Sequence, residues 1–131
     1  MAIGFSKKVL FPNGATVLNG TPHKITFRLT TGEDVVVEPC GATLKAQANE
    51  VIAHQIGGIT YVRTVFASSH EGEAEIREID GANIGSSLVI VGSIISAQAY
   101  PGMVCAMTPA PGFERVPPAE KRMNPDKFTI F

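Results

Sequence analysis

The stretch ATLKAQANEVIAHQIGGITYVRTVF, residues 42–66, can be read as a helix before a strand or as one long β-hairpin. Its first half, Ala42 to Ile56, is rich in Ala, Gln, Glu, Lys and Leu, which favours a helix by intrinsic propensity. Its periodicity points the other way, because Leu44, Ala46 and Ala48 alternate as a strand does. The second half is less divided. Gly57-Gly58 supplies the positive φ values of a primed hairpin turn, and the run Ile59–Phe66 that follows is β-branched and aromatic. The turn tips the balance: residues 42–56 read as a long strand returning across Gly57-Gly58 onto Ile59–Phe66, with a helix as the alternative.

Upstream, H-K-I-T-F-R-L at 23–29 alternates with Ile25, Phe27 and Leu29 on one face, a half-buried strand. Thr30 to Glu33 is a turn, and Asp34 to Glu38 is a β-branched return strand. Pro39-Cys40-Gly41 then breaks the pairing. The first 16 residues, with a turn at Pro12-Asn13-Gly14, read as an arm. Downstream, Ser68 to Gly85 is polar and reads as an exposed loop holding at most a short strand at Ala74–Ile79. Leu88–Val91 is a continuous apolar run, the mark of a strand buried on both faces. Ser93 can cap a short helix through Tyr100, ended by Pro101-Gly102, and Met103 to Met107 can form another strand. Thr108 to Asp126 holds five of the nine prolines and should wrap the surface without regular structure. The closing K-F-T-I-F is apolar and should dock on its own protomer or on a neighbour. The expected fold is therefore α+β, mostly β: an antiparallel sheet of hairpins, one short helix near 93–100, and a proline-rich C-terminal tail ending in a short strand. It forms one domain over 1–131, with an N-terminal arm (1–16), a β-rich core (17–107) and the tail (108–131).

Composition narrows the function. Eleven basic and twelve acidic residues give a formal charge of −1, so no broad field draws in a polyanion, and extended nucleic acid is not an expected partner. A small anion held by one or two Arg side chains is compatible with that balance. Hydrophobic content of 44% against 18% charged suits a homo-oligomer as well as a well-buried core. Cys40 and Cys105, without a signal-like N-terminus, read as buried reduced thiols and a cytoplasmic location. The apolar stretch from Leu88 to Ala99 falls short of the roughly 20 residues that span a bilayer, so no membrane partner is expected. No phosphate loop, dinucleotide glycine fingerprint, zinc signature or nucleophile elbow occurs. His23, His54 and His70 lack metal-ligand spacing, and no metal or cofactor is expected.

Five residues stand out as ligand contacts. Asn19 and His23 bracket N-G-T-P-H, where Asn and Thr also bond backbone in turns and Pro22 holds Thr21 extended. Arg63 interrupts an apolar strand and either faces solvent or offers a bidentate fork to a phosphate or carboxylate. Phe66 either packs in the core or stacks on a base. Gln98, between two alanines, either faces water or reads a polar edge.

Four ordered stretches carry a resemblance. N-G-T-P-H at 19–23, P-C-G-A-T-L-K-A at 39–46, G-G-I-T-Y-V-R-T-V-F at 57–66 and L-V-I-V-G-S-I-I-S-A-Q-A at 88–99 together resemble small phage and prophage proteins opening on N-L-T-P-H. Those proteins are similar to phage sponges that sequester nucleotide-derived immune signals, such as anti-Thoeris proteins binding cyclic ADP-ribose isomers. The resemblance implies a non-enzymatic, oligomeric, β-rich protein with pockets between protomers. In it Arg63 would touch phosphate, Phe66 would stack and Gln98 would hold a polar edge. The chain departs from the pattern at P-G-M-V-C (101–105), where those proteins often carry R-D-D, a phosphate-binding run. The expected function is a phage-encoded, non-enzymatic binding protein that captures a small nucleotide-derived ligand at a subunit interface. The alternative is a virion accessory or assembly protein; a His-assisted hydrolase using His23 or His54 comes third.

Overall fold

A computed structural model describes residues 7–79 and 83–131. The ambiguous half of the opening stretch is a strand from Ala46 to Ile56, while residues 42–45 before it are not. Among the described residues nine strands and two short helices run in the order β1 (Val9–Leu10), β2 (Thr16–Asn19), β3 (Ile25–Arg28), β4 (Asp34–Val37), β5 (Ala46–Ile56), β6 (Ile59–Ser68), α1 (His70–Glu78), β7 (Leu88–Gly92), α2 (Ile94–Ala99), β8 (Val104–Pro109) and β9 (Met123–Thr129).

Seven strands form one sheet in the order β1-β2-β7-β8-β9-β3-β4, and β5 and β6 form a second. The expected hairpins β3–β4 and β5–β6 are antiparallel. The large sheet is mixed rather than built of hairpins: β2–β7, β7–β8 and β9–β3 are parallel. Parallel neighbours need a crossover connection, and α2 supplies it between β7 and β8. That helix starts as the sequence suggests, with the Ser93 side chain accepting from the Ser96 amide. Beyond β4, Pro39 bridges Asn19 in parallel, and the Cys40 amide donates to the Asn19 carbonyl at 2.9 Å. The end of β4 thus returns to β2 and the sheet closes on itself, which removes its open edges there.

Period-two alternation sorts the side chains into two cores. Val17, Val91, Cys105, Phe27 and Val37 face inward with Phe11, and Phe128 packs against them; Phe11 meets Phe27 edge to face at 5.1 Å. The next residue along three of these strands, Leu18, Ile90 and Val104 before or after its inward neighbour, faces outward into a second cluster with Leu44, Ala97, Tyr100 and Ile79. Helices α1 and α2 and the loop after β4 cover that outer cluster.

Two expectations change and a third is sharpened. Residues 70–78 are a helix, not a loop with a strand at 74–79: the Ser69 side chain accepts from Gly72, and Glu71 and Glu73 sit in the first turn, where negative charge is favourable. The remainder of that expected loop includes 80–82, outside the described residues. The segment before residue 17 is not a free arm over its described part, since β1 pairs with β2 and Phe11 is buried; residues 1–6 lie outside the described residues. The tail ends in a docked strand as expected, and that strand starts earlier, at Met123 inside the proline-rich stretch. β9 pairs with β8 on one side and β3 on the other, so the C-terminus docks on its own protomer, with Ile130 and Phe131 exposed beyond it. Among the described residues no helix is long and apolar enough to cross a membrane.

Candidate functional site: an exposed hairpin on a clasped root

The β5–β6 hairpin pairs from Ala46↔Ser68 out to Ile56↔Ile59 across Gly57-Gly58, with Gly57 at φ 61°. At about 3.3 Å per residue its eleven-residue strand reaches roughly 35 Å. The register shifts between Ile52 and His54, so Ala53 is an extra residue that bends the arm. The shift also keeps two apolar halves in phase. Val51 opposite Arg63, His54 opposite Tyr61 and Ile56 opposite Ile59 share one face with Val65. Ile52 opposite Val62, and Ala48 opposite Phe66, share the other.

Among the described residues nothing covers most of this arm. Val51, Ile52, Ile56, Ile59, Tyr61, Val62 and Val65 are all exposed, Ile56 at 65% and Ile52 at 62%. Only at its base does the arm join the core, where Ala46 and Phe66 pack against the outer cluster. A lone two-stranded hairpin is at best marginal in water, so its presentation depends on the root.

The root, residues 43–45, is held by four side chains from the two helices and their caps. The buried Glu75 carboxylate of α1 accepts from the Thr43 and Leu44 amides at 2.9 and 3.1 Å. Ser96 of α2 donates to the Leu44 carbonyl at 2.9 Å. Tyr100 donates to the Lys45 carbonyl at 2.6 Å, and Ser69 donates to the same oxygen at 2.8 Å. Leu44 itself sits at φ 50°, a conformation a branched residue holds only when its surroundings fix it.

Gly72 belongs to the clasp by what it lacks. A Cβ there would lie 1.6 Å from the Tyr100 hydroxyl oxygen. Gly72→Ala should therefore evict Tyr100 from Lys45 and lower stability by about 2–4 kcal/mol, in the range of buried overpacking plus a lost hydrogen bond. Urea unfolding measures it; Tyr100→Phe alone should cost only about 1 kcal/mol.

The five sequence candidates divide. Arg63 is exposed on the Val51–Tyr61–Val65 face. Phe66 is half-buried and points to the opposite face. Strand parity therefore keeps one flat ligand from touching both side chains of one protomer. Gln98 is exposed on α2 between buried Ala97 and Ala99, and α2 packs against β6. Asn19 is fully buried: its amide donates to the His23 and Val37 carbonyls at 2.7 and 3.0 Å, and its oxygen accepts from the Thr21 amide and hydroxyl at 2.8 and 2.6 Å. Those four bonds occupy the whole side chain, so Asn19 pins the loop before β3 to the end of β4. Asn19→Ala should cost about 2–4 kcal/mol in urea unfolding, because it strands buried backbone groups. His23 is exposed beside that pin.

Both thiols are buried and unpaired. Burial pushes each up, Cys105 to about 11, which leaves them protonated and poorly nucleophilic at neutral pH. A raised folded-state value gives stability that is present below the unfolded thiol's value and lost as pH rises through the folded one. The protein should therefore weaken between pH about 8.5 and about 11, and Cys105→Ala should flatten that decline in pH-dependent urea unfolding. Among the described residues no group of three His, Cys, Asp or Glu side chains converges as a metal site.

Sequence reasoning missed Glu75, Ser69, Tyr100 and Gly72 as a group. The signal for α1 was present in Ser69 followed by Glu71 and Glu73, an N-cap with an acidic first turn. No family model, curated protein or solved structure matches the chain.

Proposed function

We propose that this chain is a non-enzymatic binding protein that assembles with copies of itself through the β5–β6 hairpin and holds a small nucleotide-derived anion at the interface so formed. The observation that carries the reading is the hairpin: apolar side chains exposed on both faces, mounted on a root fixed by Glu75, Ser96, Tyr100 and Ser69. Contiguous apolar surface of this kind marks an interaction site, and a stiff mounting lowers the entropy lost on docking. Arg63 lies inside that apolar face. Covering it would bury a guanidinium, which costs several kcal/mol unless an anion pairs with it; a ligand phosphate meets that need with bidentate geometry. Gln98, beside β6, supplies a neutral polar contact. The sequence resemblance makes the ligand an immune signal captured in the host cytoplasm by a phage-encoded protein.

Thermal unfolding with a panel of cyclic oligonucleotides and ADP-ribose derivatives tests the ligand. Binding to the folded state at a hundred times Kd adds about 2.7 kcal/mol, so a true ligand raises Tm by several degrees. No shift across the panel at saturation would remove the ligand from the proposal. Recovery of the ligand intact after heating separates capture from hydrolysis.

One observation favours a second reading, a virion assembly role. Ile130 and Phe131 form another exposed apolar surface, on a different element from the hairpin. Two unlike surfaces permit head-to-tail contacts that propagate rather than close. Species growing with concentration in sedimentation would favour this reading; one discrete mass would favour the first.

A further inference from the structure

A surface groove of about 270 Å³ lies between the start of β3, the 3-10 turn Pro118–Glu120 and the start of β9. Three cations line it: Lys24, Lys121 and Arg122. Its apolar lining includes Met107, Met123 and Pro118. We infer that this groove is a binding site, contained within one protomer, for a phosphate monoester attached to an aromatic ring.

Arg122 is held in place by its neighbours. The Arg122 Nε donates to Asp34 at 3.0 Å and its Nη1 to the Lys121 carbonyl at 3.2 Å. Asp34 is shared with Arg28, whose guanidinium lies 5.1 Å from the Phe113 ring centroid. The Arg28 hydrogen bond, with that from Arg122, holds the Asp34 carboxyl below the ordinary carboxylate range, so Asp34 stays charged at neutral pH. One carboxylate against two guanidiniums leaves that group net positive. Lys121 donates to the carbonyl of Glu114 at 3.1 Å rather than to a carboxylate, so its charge is not neutralised by that contact. The groove thus carries positive charge on a chain whose formal total is −1.

Charge complementarity selects a phosphate, which a fixed guanidinium and two flexible ammonium groups can share. The thioethers select the rest of the ligand, since methionine sulfur makes favourable contacts with aromatic rings. A free inorganic phosphate would use only the cations, and an uncharged nucleoside only the methionines.

The test uses adenosine 5′-monophosphate, with inorganic phosphate and adenosine as comparators, titrated at low salt and followed by calorimetry and by the methyl resonances of Met107 and Met123. The expected result is that the monophosphate binds more tightly than either comparator and shifts both methyls. Raising salt should weaken it, as screening of surface cations requires. Lys24→Ala with Lys121→Ala should weaken it roughly tenfold or more, from two lost charge-assisted contacts, with Tm little changed. Unperturbed methyls, adenosine binding as tightly as its monophosphate, or undiminished affinity in the double variant would each overturn the site. This site is independent of the hairpin. A triple hairpin variant, Val51→Ser with Tyr61→Ser and Val65→Ser, should still bind the monophosphate; losing it there would also overturn the inference. Failure of self-assembly, read separately as a molecular mass, would bear on the hairpin alone.

Discussion

Val51→Ser, Tyr61→Ser and Val65→Ser introduced together should leave the fold intact and dissolve the proposed assembly. These side chains share one face of the arm and are each about half exposed, so their removal takes little from the protomer's own core. Burial of a large apolar side chain is worth about 1.5–3 kcal/mol. With about half of each still to be covered on docking, the three contribute about 2–4 kcal/mol, or roughly thirtyfold to a thousandfold in dissociation constant. Sedimentation velocity across a concentration series reads the change, and thermal unfolding of the same samples shows whether the protomer survives. A companion variant, Ile52→Ser with Val62→Ser, alters the opposite face. Whichever variant dissociates the protein more names the face that docks.

Glu75→Ala should give the larger loss of protomer stability, about 3–5 kcal/mol, against a total of about 5–15 kcal/mol for a domain of this kind. The substitution removes two charge-assisted bonds at once and leaves the Thr43 and Leu44 amides without their acceptor. It also frees Leu44 from the clasp that holds its left-handed backbone. Glu75→Gln should fall between, because an amide keeps one oxygen acceptor but turns an NH2 donor towards a donor. Urea unfolding gives the magnitude. Hydrogen exchange gives the location: the two root amides should lose protection first, while the amides of β7 and β8 in the closed sheet keep theirs. Uniform loss everywhere would mean that Glu75 supports the whole domain and not the root in particular.

Legibility followed the range of the interactions. The β3–β4 hairpin, the strand at Leu88 and the Ser93-capped helix were readable, because each is specified by neighbours within a few residues. The β5–β6 hairpin was readable for the same reason once Gly57-Gly58 outweighed the helical composition before it. Parallel pairing was not, since nothing local in Thr16–Asn19 or Val104–Pro109 encodes a partner far along the chain. The end of β9 was readable in K-F-T-I-F, while its start was hidden by Pro125, which reads as a strand breaker yet is tolerated where the β8–β9 register is already irregular. α1 was hidden by Gly72, kept there by Tyr100 from another helix.

The candidate site was legible only in part. Arg63 and Phe66 were visible as unusual residues in one strand, and their opposite faces follow from parity alone. The exposure of the whole arm was not visible, because Ile-Thr-Tyr-Val reads the same way in a core strand as in an unsupported one. Asn19 shows the converse: its turn chemistry was readable, while the bond from its amide to the Val37 carbonyl needed the closed sheet.

Whether the arm meets another copy of this chain is read from the mass of the wild-type protein in solution. Light scattering at micromolar concentration should give a multiple of the protomer mass for the wild type and the protomer mass for the Val51/Tyr61/Val65 serine variant. A wild-type protein that stays at the mass of one chain throughout the micromolar range, with and without nucleotide, would contradict the account.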